Sequence, residues 1–129
     1  MNKLDQNSVI GITALLVHAA KIDEIYTESE KNLVKDFIKS YLIDNDTDEI
    51  LKKAEEIEKN SNQLLNYTNI IKKNSIDFKK DIIEHLWKVI ISDKSVDQYE
   101  ANLMRRICGL IYFPDKECAE IKLKLLNSK

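Results

Sequence analysis

The sequence predicts an all-α fold: one compact bundle of about seven helices containing two pseudo-symmetric helical hairpins. Three observations predict it. First, 129 residues contain only two glycines and one proline, where ordinary usage gives about nine and six. Strand-rich folds spend those residues on turns, so a sandwich or barrel is excluded. Second, apolar residues recur at helical spacing through nearly the whole chain. Third, residues of the helix-capping type stand at the breaks between the apolar runs.

Taken in order, the first helix is expected from about Asn7 to Lys21, with Val9, Ile12, Leu16 and Ala19 on one face. The second runs from about Glu28 to Leu42, with Leu33, Phe37, Ile38 and Tyr41 inward. The third opens at the cap candidates Asp46 and Thr47, carries Ile50, Leu51, Ala54 and Ile57 as its stripe, and ends at Asn60, Ser61 and Asn62. Its charged residues (Lys52, Lys53, Glu55, Glu56, Glu58, Lys59) read as a solvated face with i,i+4 pairs such as Glu55/Lys59. The fourth spans about Gln63 to Lys73, with Leu64, Tyr67 or Thr68, and Ile71 inward. Ser75 caps the fifth, which reaches about Ser92 and turns Phe78, Ile82, Leu86 and Val89 to the core, with Trp87 beside them. The sixth covers about Gln98 to Tyr112, with Leu103, Ile107, Leu110 and Ile111. Pro114 breaks it, Asp115 caps the seventh, and Cys118, Ile121 and Leu125 form the last stripe. Trp87, Tyr112 and Phe113 read as core or hinge packing in preference to exposed anchors for a partner.

The totals narrow the function. Twenty basic against 22 acidic side chains give a net charge of −2, which carries no electrostatic footprint for nucleic acid. Glycine loops for phosphates cannot be written with Gly11 and Gly109 alone. The two cysteines, Cys108 and Cys118, lack a CxxC partner and read as reduced core thiols. The apolar stretch Val9 to Ala20 is too short to span a bilayer and lacks the cationic flank of a secretion signal, so a cytoplasmic protein without direct membrane insertion is expected. Neither His18 nor His85 belongs to an HExxH or ExxH motif, so a di-iron carboxylate site is not expected, and His18 reads as a solvated or partly buried helical residue. No nucleophile motif is present.

The chain also resembles itself at an offset of 70. Between Leu16–Phe37 and Leu86–Ile107, five of 22 positions are identical: Leu16/Leu86, Asp23/Asp93, Glu30/Glu100, Asn32/Asn102 and Leu33/Leu103. The expected organisation is therefore one domain over residues 1–129, with related halves at about 7–60 and 75–129. Each copy places one acidic constellation at the hairpin bend. Thr27 and Asp97 are N-cap types, Glu30 and Glu100 follow three residues later, and the spacing predicts capping boxes. Tyr26 and Val96 stand where a hydrophobic staple belongs. Asp23 and Asp93 end the preceding helices, where the dipole disfavours an acid. Loop amides or a bound cation are the two ways to compensate them.

The paired pattern Ala20, Asp23, Tyr26 and Glu30, then Asp93, Val96 and Glu100, resembles the tellurite-resistance TerB family, from about Val9 to Leu126. That superfamily also holds the N-terminal domain of the membrane-anchored DnaJ-like co-chaperones. The resemblance implies an all-α fold of about seven helices in two related halves, acidic bend residues that bind metal, and no enzymatic activity. The family's glycine after the motif aspartate is replaced here by Glu24 and Lys94. The expectation is a non-enzymatic helical module. It works through an unidentified protein partner, binds no nucleic acid, self-associates as a homodimer, and serves a stress-related response. A divalent cation such as Ca²⁺ or Mg²⁺ is expected on Asp23, Glu30, Asp93 and Glu100. The alternative is a small-ligand-binding or enzymatic domain with a pocket between the hairpins, which calls for a sizeable cleft with convergent polar groups.

Overall fold

The computed structural model describes residues 5–21, 26–42, 46–60, 64–92 and 98–127, and of 64–66 and 98–99 the backbone alone. Those residues form seven helices and no strand: α1 (Gln6–Ala20), α2 (Glu28–Tyr41), α3 (Thr47–Asn60), α4 (Leu64–Lys72), α5 (Ile76–Ile91), α6 (Gln98–Ile111) and α7 (Asp115–Asn127). The chain is therefore all-α, and the seven helices share one apolar core.

α1 is the helix with the least polar surface, and its position follows from that. A helix that is apolar all round must be covered on every side. α1 accordingly packs against α2, α3, α4 and α5 and buries ten of its 15 residues. Gly11 permits one of those approaches: a Cβ there would stand 3.3 Å from Ile70 Cδ1 on α4. α5 is the second central helix, packed against α1, α2, α4, α6 and α7. Its core face adds Ile83, Ile90 and Ile91 to the expected residues. Burying an aliphatic or aromatic side chain of this size is worth about 1.5–3 kcal/mol, so α1 and α5 carry much of the stability.

Local signals set the helix ends. Asp5 Oδ1 accepts from Ser8 N at 2.8 Å and starts α1. Ser75 Oγ accepts from Phe78 N at 3.2 Å and starts α5. Of the two cap candidates for α3, Asp46 serves, accepting from Asp48 N at 3.1 Å and Glu49 N at 3.3 Å. Asp115 does not cap α7. Cys118 N donates to Pro114 O at 3.1 Å, so Pro114 is the cap and Asp115 the first helical residue, where its charge still suits the dipole.

α6 ends in a Schellman motif. Phe113 N donates to Cys108 O at 2.9 Å and Tyr112 N to Gly109 O at 3.4 Å, the paired bonds that close such an end. Tyr112 occupies the left-handed position, φ 60°, which glycine usually fills. This geometry corrects one expectation. Phe113 is buried, but Tyr112 is 69% exposed, because the left-handed turn swings it off the core face. Its ring lies under Lys72 Nζ, 4.6 Å from the centroid.

Two expectations for α3 are also corrected. Ile50, Leu51 and Ala54 are buried, but Ile57 is 41% exposed. The inward row continues instead through Glu55 and Glu58, one and two turns on from Leu51. The charged side of α3 is thus only partly a solvated face. No helix of the described residues is long and apolar enough to cross a membrane.

Candidate functional site: the carboxylates of the first hairpin bend

The expected capping box is present at the start of α2. Thr27 Oγ1 accepts from Glu30 N at 3.1 Å, and Glu30 Oε1 accepts from Thr27 N at 2.8 Å and from the Thr27 hydroxyl at 3.1 Å. Sequence spacing does not reveal how deep this box lies. Glu30 is 1% exposed, although a carboxylate at a helix start commonly sits in water. Glu100, the third residue of α6 as Glu30 is of α2, is also 1% exposed. The structure thus buries both glutamates of the expected four-acid set. Asp23 and Asp93 lie outside the described residues, as do Glu24, Lys94, Val96 and the second cap Asp97.

α3 supplies carboxylates to the residues on either side of the bend, at the end of α1 and just before α2. Tyr26 donates its hydroxyl to Glu55 Oε2 at 2.8 Å. Burial, then the Glu55 carboxylate, push the Tyr26 phenol well above its usual range, which keeps it a donor. Lys31 Nζ lies over the Tyr26 ring, 5.1 Å from its centroid. One turn along, Glu58 takes Lys21 Nζ at 2.9 Å on Oε1 and faces His18 Nδ1 at 3.3 Å on Oε2. Glu55 therefore serves Tyr26 across the helix boundary, where an i,i+4 pair with Lys59 was expected. The i,i+4 pair on α3 is Lys53–Glu49, at 3.4 Å. Sequence reasoning missed Glu55 and Glu58 as bend residues. Their signal is that Leu51, Ala54, Glu55 and Glu58 follow the i, i+3, i+4, i+7 rule of one helical face.

His85 sits at the α2–α5 contact. Its ring meets Phe37 edge-on at 5.3 Å, and its Nε2 lies 3.7 Å from Asp81 Oδ2, which also accepts from the Tyr41 hydroxyl at 2.5 Å. Burial is the main cause that holds the imidazole below its ordinary range, ahead of the opposing attraction of Asp81. Burial also raises the Tyr41 phenol, helped by the bond to Asp81.

As metal ligands, Glu30 and Glu100 are hard oxygen donors, the type that Ca²⁺ and Mg²⁺ take. Two carboxylates fall short of the six to eight oxygens Ca²⁺ needs. Among the described residues, no group of three or more His, Cys, Asp or Glu side chains stands together as a ligand set. The described residues thus provide half of the expected set. A hollow of about 440 Å³ lies where α2, α5 and α7 meet, lined by Asn32, Leu33, Lys88, Ile91 and Leu125 among others. Among the described residues, Lys88 is the one ionisable side chain in its lining.

Seven helices around a shared core, with glutamates buried at the starts of α2 and α6, define a small all-α module. The family model described as "Tellurite resistance protein TerB" matches residues 9–123, and the chain belongs to the TerB family. No curated protein and no solved structure matches it.

Proposed function

We propose that this chain is a non-enzymatic TerB-like module that acts through contacts with a protein partner, in a stress-related response. Its two hairpin bends bind a divalent cation, Ca²⁺ or Mg²⁺, through Asp23, Glu30, Asp93 and Glu100. One observation carries the reading: Glu30 and Glu100, 70 residues apart, are both buried at the third position of their helices. Burying a carboxylate is costly unless hydrogen bonds or a cation compensate it. Placing one at each of two equivalent points favours a shared purpose over two independent caps.

The internal repeat is part of this proposal. It is supported by helix spans that recur at about the same offset, α1 and α2 against α5 and α6. The packing of α1 on α3 and of α5 on α7 supports it as well. The partner is unidentified, and self-association as a homodimer belongs to the same reading. The balance of 20 basic and 22 acidic side chains argues against nucleic acid. The cytoplasmic location is proposed from the sparse, unpaired cysteine usage.

The test is a titration of chelator-stripped protein with Ca²⁺ and Mg²⁺, followed by calorimetry and thermal melting. A ligand at 100 times its Kd stabilises the fold by about 2.7 kcal/mol, so saturating cation should raise the melting temperature by several degrees. The paired variant Glu30→Gln with Glu100→Gln should melt as a folded protein and lose that rise. Neither heat nor a melting shift at millimolar cation would reject the metal role and leave the glutamates as caps.

A further inference from the structure

α7 carries two apolar stripes. Cys118, Ile121 and Leu125 form the first and turn it to the core. Ala119, Leu123 and Leu126 form the second, at positions i, i+4 and i+7, with Lys122 between them at i+3. That is the spacing of one helical face. Among the described residues nothing covers this second face: Leu123 is 57% exposed and Leu126 37%. A surface helix ordinarily gives its outer side to polar residues.

A cleft opens beside the second stripe. α7 packs mainly on α5 and less on α6, and the space left between α6 and α7 is a cleft of about 360 Å³. Its buried floor is Trp87 of α5 and Met104 of α6, and Ala101 and Ala119 keep its walls low. Ala119 and Lys122 belong both to the cleft and to the stripe, so the two features make one groove. Methionine and small residues at such a place let a foreign side chain settle in.

The groove also has a sign. Arg105 and Arg106 are the chain's only arginines, against 18 lysines, and Arg105 lines the cleft with Lys122. Among the described residues neither Arg105 nor Lys122 has an ion-pair partner. Lys122 Nζ rests over the Trp87 ring, 5.5 Å from its centroid. Asp115, the one acid among the described lining residues, stands in the first turn of α7, where the helix dipole suits it.

We propose that the α6–α7 groove is the docking site for an acidic amphipathic helix of a partner protein. Its apolar anchors lie over Trp87 and along Leu123 and Leu126, and its carboxylates pair with Arg105 and Lys122. The helical spacing of the stripe, two turns long, fits the helix-in-groove mode of recognition. The described residues hold no strand whose edge a peptide could extend. A guanidinium pairs a carboxylate through two parallel hydrogen bonds, which fixes orientation. A second copy bound isologously through this face would set Arg105 and Lys122 beside their own equivalents, so the occupant is a different chain. The proposal rests on the reading of this chain as a partner-binding module and gives that partner a place and a chemistry. It is independent of the cation.

The test uses the whole chain and two fluorescein-labelled synthetic helices of about 18 residues, long enough to hold a helix. Both carry leucine at i, i+3, i+4 and i+7 on an alanine background. One has glutamate on its polar side and the other lysine. The chain's net charge of −2 favours the lysine peptide in any unspecific encounter, so the groove alone prefers the glutamate peptide. Fluorescence anisotropy should show the glutamate peptide binding at least tenfold more tightly. Raising sodium chloride from about 20 to about 200 mM should weaken it severalfold. Arg105→Glu with Lys122→Glu should reverse the preference, and Leu123→Ser with Leu126→Ser should weaken binding of the glutamate peptide at least tenfold. These side chains lie on the surface, and an unchanged urea midpoint certifies each variant as folded. Preference of the wild type for the lysine peptide, or no binding of either peptide, would overturn the proposal. Binding that both pairs of substitutions leave unchanged would overturn the groove while keeping a partner-binding module. Dimerisation of the free chain that Leu123→Ser with Leu126→Ser abolishes would give the face to a second copy and overturn it as well.

Discussion

The two central helices, α1 and α5, each pack on a later helix, and the two contacts are built from different chemistry. Where α3 meets the end of α1, apolar Ile50, Leu51 and Ala54 give way to carboxylates. Glu58 holds Lys21 and faces His18, and Glu55 holds Tyr26. Where α7 meets α5, the contact stays apolar through Cys118 and Ile121. Its directional bond is Trp87 to the Cys118 carbonyl, with Lys122 Nζ over the indole at 5.5 Å. The difference separates two tasks. An apolar contact gives most of its energy from area removed from water, without direction. Charge-assisted hydrogen bonds give less net energy but fix orientation. The first contact therefore orients the end of α1 and the residue just before α2, and the second chiefly holds the fold.

The sharpest way to break this comparison is Trp87→Ala. Removing a buried tryptophan costs about 3–5 kcal/mol, measured as a drop in the urea midpoint, and the loss should be the same in low and high salt. Glu58→Ala should cost much less, about 1 kcal/mol, because Lys21 is exposed enough to be resolvated once freed. That smaller loss should shrink further as sodium chloride rises, since screening weakens the ion pair in the wild type. If Glu58→Ala proved as costly as Trp87→Ala, or insensitive to salt, the division between an orienting and a cohesive contact would fail.

The sequence made the helices legible because each boundary is a local event. Thr27 with Glu30, Ser75 before Phe78 and Asp46 before Glu49 announce starts within three residues, and the observed ends fall within one or two residues of those expected. Legibility ended where tertiary placement decided. The Thr27–Glu30 spacing specifies a capping box whether it faces water or core, so the burial of Glu30 was invisible. Glu55 and Glu58 were assigned to solvent by charge, although their register on α3 placed them beside Leu51 and Ala54. Tyr112 was misplaced because an apolar run carries no sign of a left-handed reversal when tyrosine stands where glycine is usual. Of the four expected bend acids, the structure describes Glu30 and Glu100 and buries both; a metal role stands as a proposal for all four.

The histidines carry the same contrast to pH, with the smallest effect. His18 on α1 faces a carboxylate of α3, whereas His85 on α5 faces the Phe37 ring of α2, with Asp81 at 3.7 Å on its own helix. Desolvation holds His85 below its ordinary range against the pull of Asp81, Glu84 and Asp36, with Lys88 adding to the lowering. A histidine with a depressed folded pKa binds its proton more weakly in the native state than in the unfolded chain, where it titrates near about 6.5. Its contribution to stability is therefore present above that unfolded value and is lost as pH falls from there through the folded pKa. Urea midpoints at pH 7.5, 6.5 and 5.5 should fall for the wild type over this range. His85→Gln should lower stability at pH 7.5 by disturbing the contact with Phe37, yet show a shallower decline towards pH 5.5. Parallel declines in the two proteins would mean that burial at the α2–α5 contact does not set this histidine's protonation, and that acid sensitivity arises elsewhere in the fold.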